Sequence, residues 1–209
     1  MEVDNMAITK KHPPVRHTVG SQYICMNTMS QEDEWTENYA SDVTELPTVV
    51  DVEISDASDA YELYASGSIY DSDAPVTSQE ISETNVAFPA ILLSTLRGEV
   101  VDGGVVQGGG YGVRPYFAYG CVIINKDGTK EYRWYPKCKL TENSDRAETS
   151  EASHKDQNGT VTIRAYGYDD DGHTYIKALT SETAMADLTA ADFFAAPLLT
   201  IAAVKALVQ

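Results

Sequence analysis

Between Arg16 and Arg97 the chain has no lysine or arginine. The same stretch is rich in acids, among them Glu32, Asp33, Glu34, Asp51, Glu53, Glu62, Glu80 and Glu83. Over all 209 residues, 15 Lys and Arg stand against 32 Asp and Glu, a net charge of −17. Affinity for nucleic acid comes mainly from cations that neutralise phosphates, so a grip on DNA or RNA is excluded. Attraction to an anionic membrane surface is excluded on the same ground. The acids are spread through strand-like text, which reads as a solvated acidic face or as a surface that repels a polyanion.

Cysteine is scarce too. Cys25, Cys121 and Cys138 are an odd number without C-x-x-C spacing, which argues against a disulfide framework and a zinc site. Buried reduced thiols and folding in a cytosol are expected. The opening "MEVDNMAITKK" lacks the apolar centre of a signal peptide. The longest apolar stretch, Phe193 to Val208, is interrupted by Pro197 and Lys205 and falls short of a membrane span.

Catalytic motifs are also missing. Of the four histidines, His12 and His17 lie near the start, His154 in a polar stretch and His173 beside a turn. None belongs to a nucleophile or metal pattern. Gly103 to Gly112 holds six glycines in ten positions but lacks G-x-x-x-x-G-K-[ST] and Rossmann spacing. It reads as a loop. "DDDG" at 169–172 has the outline of a calcium loop. With Gly172 in the glycine place, Gly167 and Ala178 would occupy ligand positions, and neither can serve. No catalytic residue, metal or cofactor is expected, and an enzyme is the least favoured class.

Strands are plentiful. "YGCVIINKDGTKEYRWYPKCKL", Tyr119 to Leu140, has a continuous apolar run, a turn with Gly128, and an alternating strand. Tyr132, Trp134, Pro136, Cys138 and Leu140 fall on one face. Glu131, Arg133, Lys137 and Lys139 fall on the other, with Tyr135 the exception. Pro136 predicts an edge position or a bulge. "PTVVDVEI" (47–54) alternates, and a further strand begins in "DAYELYASGSIY" (59–70). In "FPAILLSTLRG" (88–98), Pro89 suits a helix start and Gly98 its end. "TVTIRAYGY" and "HTYIKAL" flank the 169–172 turn as a second hairpin. Thr189 with Asp192 gives a capping pattern, and Leu198, Ile201, Val204 and Val208 recur at helical spacing. The expected organisation is an arm at 1–20, a β-rich domain at 21–183 and a helical segment at 184–209.

The order of these features resembles the major tail proteins of long-tailed phages, of the siphophage type. The likeness runs from Asp59 to Leu179. It rests on "ELYASGSIYDSDAPV", the short helix ending in Gly, the Gly-rich loop, the lead "RPYFAYG", the central hairpin, and "AETSEASHKDQNGTVTIRAY". Where that family often has Tyr-Ala-Asp, Ser66 replaces the acid. The resemblance implies a mainly β (α+β) fold, an antiparallel sandwich or barrel with a short packed helix, long hairpins and a C-terminal helix. It implies hexameric rings stacked into a tail tube, with hairpins joined edge to edge around the lumen. The implied partners are other copies of the chain, the tape measure protein and other tail proteins. DNA would pass through without specific binding, and no membrane is involved. The location would be the virion, after assembly in the host cytoplasm.

On this reading six chains would give a ring roughly −100 in charge. Lys126, Lys130, Arg133, Lys137 and Lys139 are the expected inter-subunit contacts. Glu32, Asp33, Glu34, Asp51, Glu53 and Glu62 form the expected acidic lumen or interface. Tyr23–Met29, Pro47–Ile54 and the central hairpin all compete for the lumen, and the acidic text from Ser30 to Glu45 is expected to project. The residues leave open a monomeric β-sandwich adhesion or carbohydrate-binding module, and another tail component such as a completion or decoration protein.

Overall fold

The computed structural model describes residues 12–28, 35–58, 61–65, 68–73, 75–110, 112–144 and 158–208. It is mainly antiparallel β, as the sequence predicts. The strands are β1 (Arg16–Met26), β2 (Thr44–Leu46), β3 (Val49–Ser58), β4 (Tyr61–Ala65), β5 (Ser68–Asp73) and β6 (Val76–Asn85). Helix α1 (Ala90–Leu96) precedes β7 (Val100–Asp102), β8 (Val105–Gln107), β9 (Phe117–Asn125), β10 (Lys130–Ser144), β11 (Gly159–Tyr166) and β12 (Ile176–Leu179). A 3-10 turn (Thr183–Met185), α2 (Ala190–Phe193) and α3 (Ile201–Ala206) follow.

The main sheet runs β2-β1-β9-β10-β11-β6-β3, with β12 also on β10. It curls until β3 lies beside β1 across a cleft of about 300 Å³ lined by Arg16–Val19, Val50–Val52 and Ile123. Among the described residues no ladder joins those two strands, so the barrel is left with a seam. Alternation sets the two faces. Ile24, Ile81, Phe117, Tyr135, Leu140 and Ile163 fill the interior, where Leu92, Leu93 and Leu96 of α1 pack against them. On the other face Tyr23, Trp134, Ile176, Phe193, Phe194 and Val204 form a second cluster beneath the C-terminal segment. Each fully buried side chain of this size contributes about 1.5–3 kcal/mol of transfer free energy.

The C-terminal segment therefore shares its core with the sheet rather than forming a separate unit. Trp134 Nε1 donates to the Phe193 carbonyl at 3.0 Å. Phe194 stacks on Tyr23, with centroids 3.9 Å apart, and meets Trp134 edge-on. Gly120 makes room for it: a Cβ there would stand 2.7 Å from the Phe194 ring. The expected capping at Thr189 is present, its hydroxyl accepting from Asp192 N, and Thr200 caps α3 in the same way. Pro197 lies in the break between α2 and α3.

Five expectations need correction. β1 begins at Arg16, inside the stretch read as an arm; residues 1–11 lie outside the described residues. The Gly-rich stretch is not all loop. Gly103 and Gly104, both at positive φ, turn β7 into β8 as a two-residue hairpin. Pro89 precedes α1 as its cap residue rather than starting it, while Gly98, at φ 72°, ends it as expected.

β11 and β12 are not a hairpin. Both run antiparallel to β10 along one side of it, β11 against Cys138–Ser144 and β12 against Glu131–Trp134. They lie in line, joined by an excursion at 167–175. Finally, the single face read along β10 breaks at Pro136, which sits at a bulge, the second of its two expected settings, in a central strand. The four residues of β10 from Tyr135 to Cys138 lie opposite the three of β9 from Tyr119 to Phe117. The extra residue swaps the faces. Tyr132 and Trp134 join the outer cluster, whereas Tyr135, Cys138 and Leu140 point into the barrel.

Candidate assembly surfaces

The C-terminal segment covers only the half of the outer face made by β1, β9 and β12. The half made by β3, β6, β11 and the end of β10 carries polar side chains instead. Register aligns Ser55, Glu80, Arg164 and Lys139 in one row, Glu53, Ser82, Thr162 and Glu142 in the next, and Asp51, Thr84, Thr160 and Ser144 in a third. Asp51, Glu53 and Glu80 lie toward the β3 end, and Arg164, Lys139 and Glu142 toward the β10 end. Three strand spacings, about 14 Å, separate its ends.

β3 is the last strand of the sheet. Among the described residues its second edge has no ladder partner, and Asp51 and Glu53 stand exposed along it. In chain order between β3 and β6, strands β4 and β5 pair as a separate two-stranded sheet, where Glu62 is exposed and accepts from the Tyr64 hydroxyl. Of the six expected acids, Asp51 and Glu53 thus lie on β3 of the main sheet and Glu62 on β4 of the two-stranded sheet. Glu32, Asp33 and Glu34 lie outside the described residues.

The five expected basic contacts do not form one face. Lys126 and Lys130 are exposed beside the β9–β10 turn. Arg133 is held within the chain, its Nε and Nη2 donating to Glu131 Oε1 at 2.8 and 2.6 Å. Glu131 is nearly buried and also meets Arg16 at 3.6 Å and Lys177 at 3.5 Å, so one acid ties β1, β10 and β12 together. Beyond the bulge, Lys139 Nζ sits 4.2 Å from the Tyr116 ring centre, and Lys137 Nζ lies over Trp35 and Tyr116. The bulge divides the cluster, and simple alternation cannot register an extra residue.

No protein-family model matches the chain, and no curated protein does. Solved structures do match it. A chain of the anti-feeding prophage cap, the tube-terminating cap, matches with TM-score 0.40 and 10% identity over 84% of this chain and 95% of that one. A chain of the sheath-tube complex of the PVC extracellular contractile injection system in its extended state gives 0.39 and 12% over 75% and 87%. A chain of the anti-feeding prophage baseplate gives 0.40 and 7% over 81% and 97%.

Inside the barrel lies a polar cluster that the acid count conceals. Glu83 was read with the solvated acids, yet it is 1% exposed. Tyr119 Oη donates to its Oε2 at 2.7 Å, and Asn85 Nδ2 to its Oε1 at 2.9 Å. Gln22 donates through Nε2 to Asn85 Oδ1 at 2.7 Å, which leaves its carbonyl oxygen 2.8 and 3.0 Å from the carboxyl oxygens. A protonated Glu83 completes that ring as a donor. Turning the Gln22 amide over would serve an ionised Glu83, but would set two amide oxygens 2.7 Å apart. Burial raises the Glu83 pKa, and the hydrogen bonds donated by Tyr119 and Asn85 oppose it only in part. These residues come from β1, β6 and β9, so the cluster spans the barrel interior.

The remaining reactive groups are quiet. The three cysteines are free and buried. Burial is the main cause that pushes the Cys25 thiol up to about 11 and the Cys121 thiol up to about 12, and it raises Cys138 as well. In the 167–175 excursion, Asp169 accepts from His173 N at 2.8 Å and meets its Nδ1 at 2.6 Å, closing the turn. Asp171 stands beside that pair, and all three are exposed.

Proposed function

We propose that the chain is the structural subunit of a phage-type tail tube, assembling head to tail into hexameric rings that stack. The observation that carries this reading is the ten-residue β3, whose second edge has no ladder partner among the described residues, facing β1 only across the cleft at Val50–Val52, and lies beside an uncovered polar sheet face. A long bare edge invites pairing with another chain, and soluble monomers usually blunt it. Ring closure removes such edges altogether. The ordered features from Asp59 to Leu179 that resemble major tail proteins support the same reading.

On this proposal the uncovered face lines the passage. It sets Asp51, Glu53, Glu80 and Glu142 against Arg164 and Lys139, so it stays net acidic and lets DNA slide without adhering. The tape measure protein would occupy the same passage during assembly. The role needs no catalysis and belongs to the virion.

Electron microscopy of the purified protein, with light scattering at rising concentration, tests it. Stacked rings with six-fold end views are expected. Single rings that never stack would instead assign a completion role. A monomer at every concentration and salt would overturn the proposal and favour a β-sandwich binding module.

A further inference from the structure

Two apolar surfaces of this chain are exposed. The first is the β7–β8 hairpin. Val100, Val105 and Val106 are 66%, 72% and 40% exposed, although valine belongs among the most often buried residues. The hairpin is joined only to itself: β8 pairs with β7, and among the described residues its outer edge has no ladder partner. Asp102 stands exposed at its turn.

The second surface is a groove of about 270 Å³ between the outer edge of β12 and α3. Ile176, Leu179, Met185, Ile201 and Val204 make it apolar, and Ile201 is 69% exposed. Like β8, β12 is a short strand paired on one side only. Lys205 borders the groove together with Lys177, which also reaches Glu131 at 3.5 Å, and the acid in the groove lining is Glu182. In a chain with 15 cations against 32 acids, a cationic rim is uncommon.

We infer that the β7–β8 hairpin of one copy docks in the β12–α3 groove of a second copy. The fit has three parts. The three residues of β8 suit the four of β12, so main-chain bonds can extend the sheet by strand addition. Val100 and Val105, which share one face of the hairpin, then meet Ile201 and leave water. Asp102 approaches the rim that carries Lys177 and Lys205, a complementarity that favours this pairing over contact between two acidic faces. The two surfaces are different patches, so the contact is heterologous and repeats from copy to copy.

A tube needs contacts within a ring and between rings. This contact supplies one set while the β3 edge supplies the other, and in that respect the inference rests on the proposed function. The test uses two single-cysteine variants of the full chain, V105C and I201C. Both sites are exposed, and the three native thiols are buried.

Under mild oxidation the mixture should give disulfide-linked dimers, and neither variant alone should. V86C mixed with I201C should give none, because Val86 is exposed outside both surfaces. Separately, I201D should weaken self-association by about tenfold or more while far-ultraviolet circular dichroism stays unchanged. If tubes form but V105C and I201C do not link, the docking is wrong and the tube reading stands. If the protein stays monomeric and nothing links, both fall. If I201C links to itself, the contact is two-fold and the heterologous docking is wrong.

Discussion

Glu83→Gln should make the protein more stable at neutral pH, and the gain should vanish in acid. The substitution keeps the shape of the buried side chain and removes its charge. In the Gln22–Glu83–Asn85–Tyr119 ring every hydrogen bond pairs when the carboxyl is neutral; the new amide oxygen can accept from Asn85 and its nitrogen can donate to Gln22, with the Tyr119 hydroxyl turning from donor to acceptor. Burial raises the native pKa of Glu83 above its unfolded value of about 4.3. Between those two values the native state holds a proton that the unfolded state has released. Wild-type stability therefore falls as pH rises through that window and levels off above the native pKa.

One proton sets the steepest slope, about 1.4 kcal/mol per pH unit. The gap between E83Q and wild type should open at up to that rate, starting near pH 4. Urea melts of both proteins in half-unit steps from pH 4 to 8 measure it, since the other titrating groups cancel in the difference. A gap that is flat with pH, or that grows in favour of the wild type as pH rises, would refute the neutral-carboxyl assignment. As a companion, Glu83→Ala should destabilise at every pH by about 2–5 kcal/mol, because the Tyr119 hydroxyl and Asn85 amide lose their acceptor in a dry interior.

Gly120→Ala should cost about 1–3 kcal/mol in urea denaturation, because its Cβ would press on the Phe194 ring where that ring stacks on Tyr23 and meets Trp134. Thiol reagents at pH 8 should label the native protein far more slowly than the urea-unfolded chain, since Cys25, Cys121 and Cys138 are buried and held protonated; fast labelling of the native state would contradict that burial. The His173 ring should titrate above the usual imidazole value because Asp169 bonds its charged form, and Asp169→Asn should bring the midpoint back down when followed by NMR.

Much of the fold was legible because the alternation is clean. Val52 and Ile54 against Asp51 and Glu53 fix β3, and Gly98 fixes the end of α1. β6 was illegible for the opposite reason. From Thr77 to Asn85 its only aliphatic residue is Ile81, because Gln79, Glu83 and Asn85 occupy inward positions through hydrogen bonds rather than hydrocarbon contact. A pattern that tracks hydrophobicity has no signal for a buried carboxyl.

The β10 faces were misassigned past Pro136, since one extra residue reverses every later side chain. The same reversal explains why the five cations, close in sequence, are split in space. The in-line relation of β11 and β12 was hidden because two strands around a turn read as a pair, and only the length of β10 shows that each has its own stretch of partner. Of the expected acids, Asp51 and Glu53 fall on β3 and Glu62 on β4, while the charge gap could not separate Glu83 from its solvated neighbours.

The excursion at 167–175 interrupts no ladder, because β11 is anchored to β10 before it and β12 is anchored to β10 after it. Residues added between Asp169 and Gly172 would lengthen a protruding stretch and leave both registers as they are. A peptide tag grafted there would be carried once per subunit at a fixed spacing, which makes this turn a natural position for displaying cargo on whatever the subunits build.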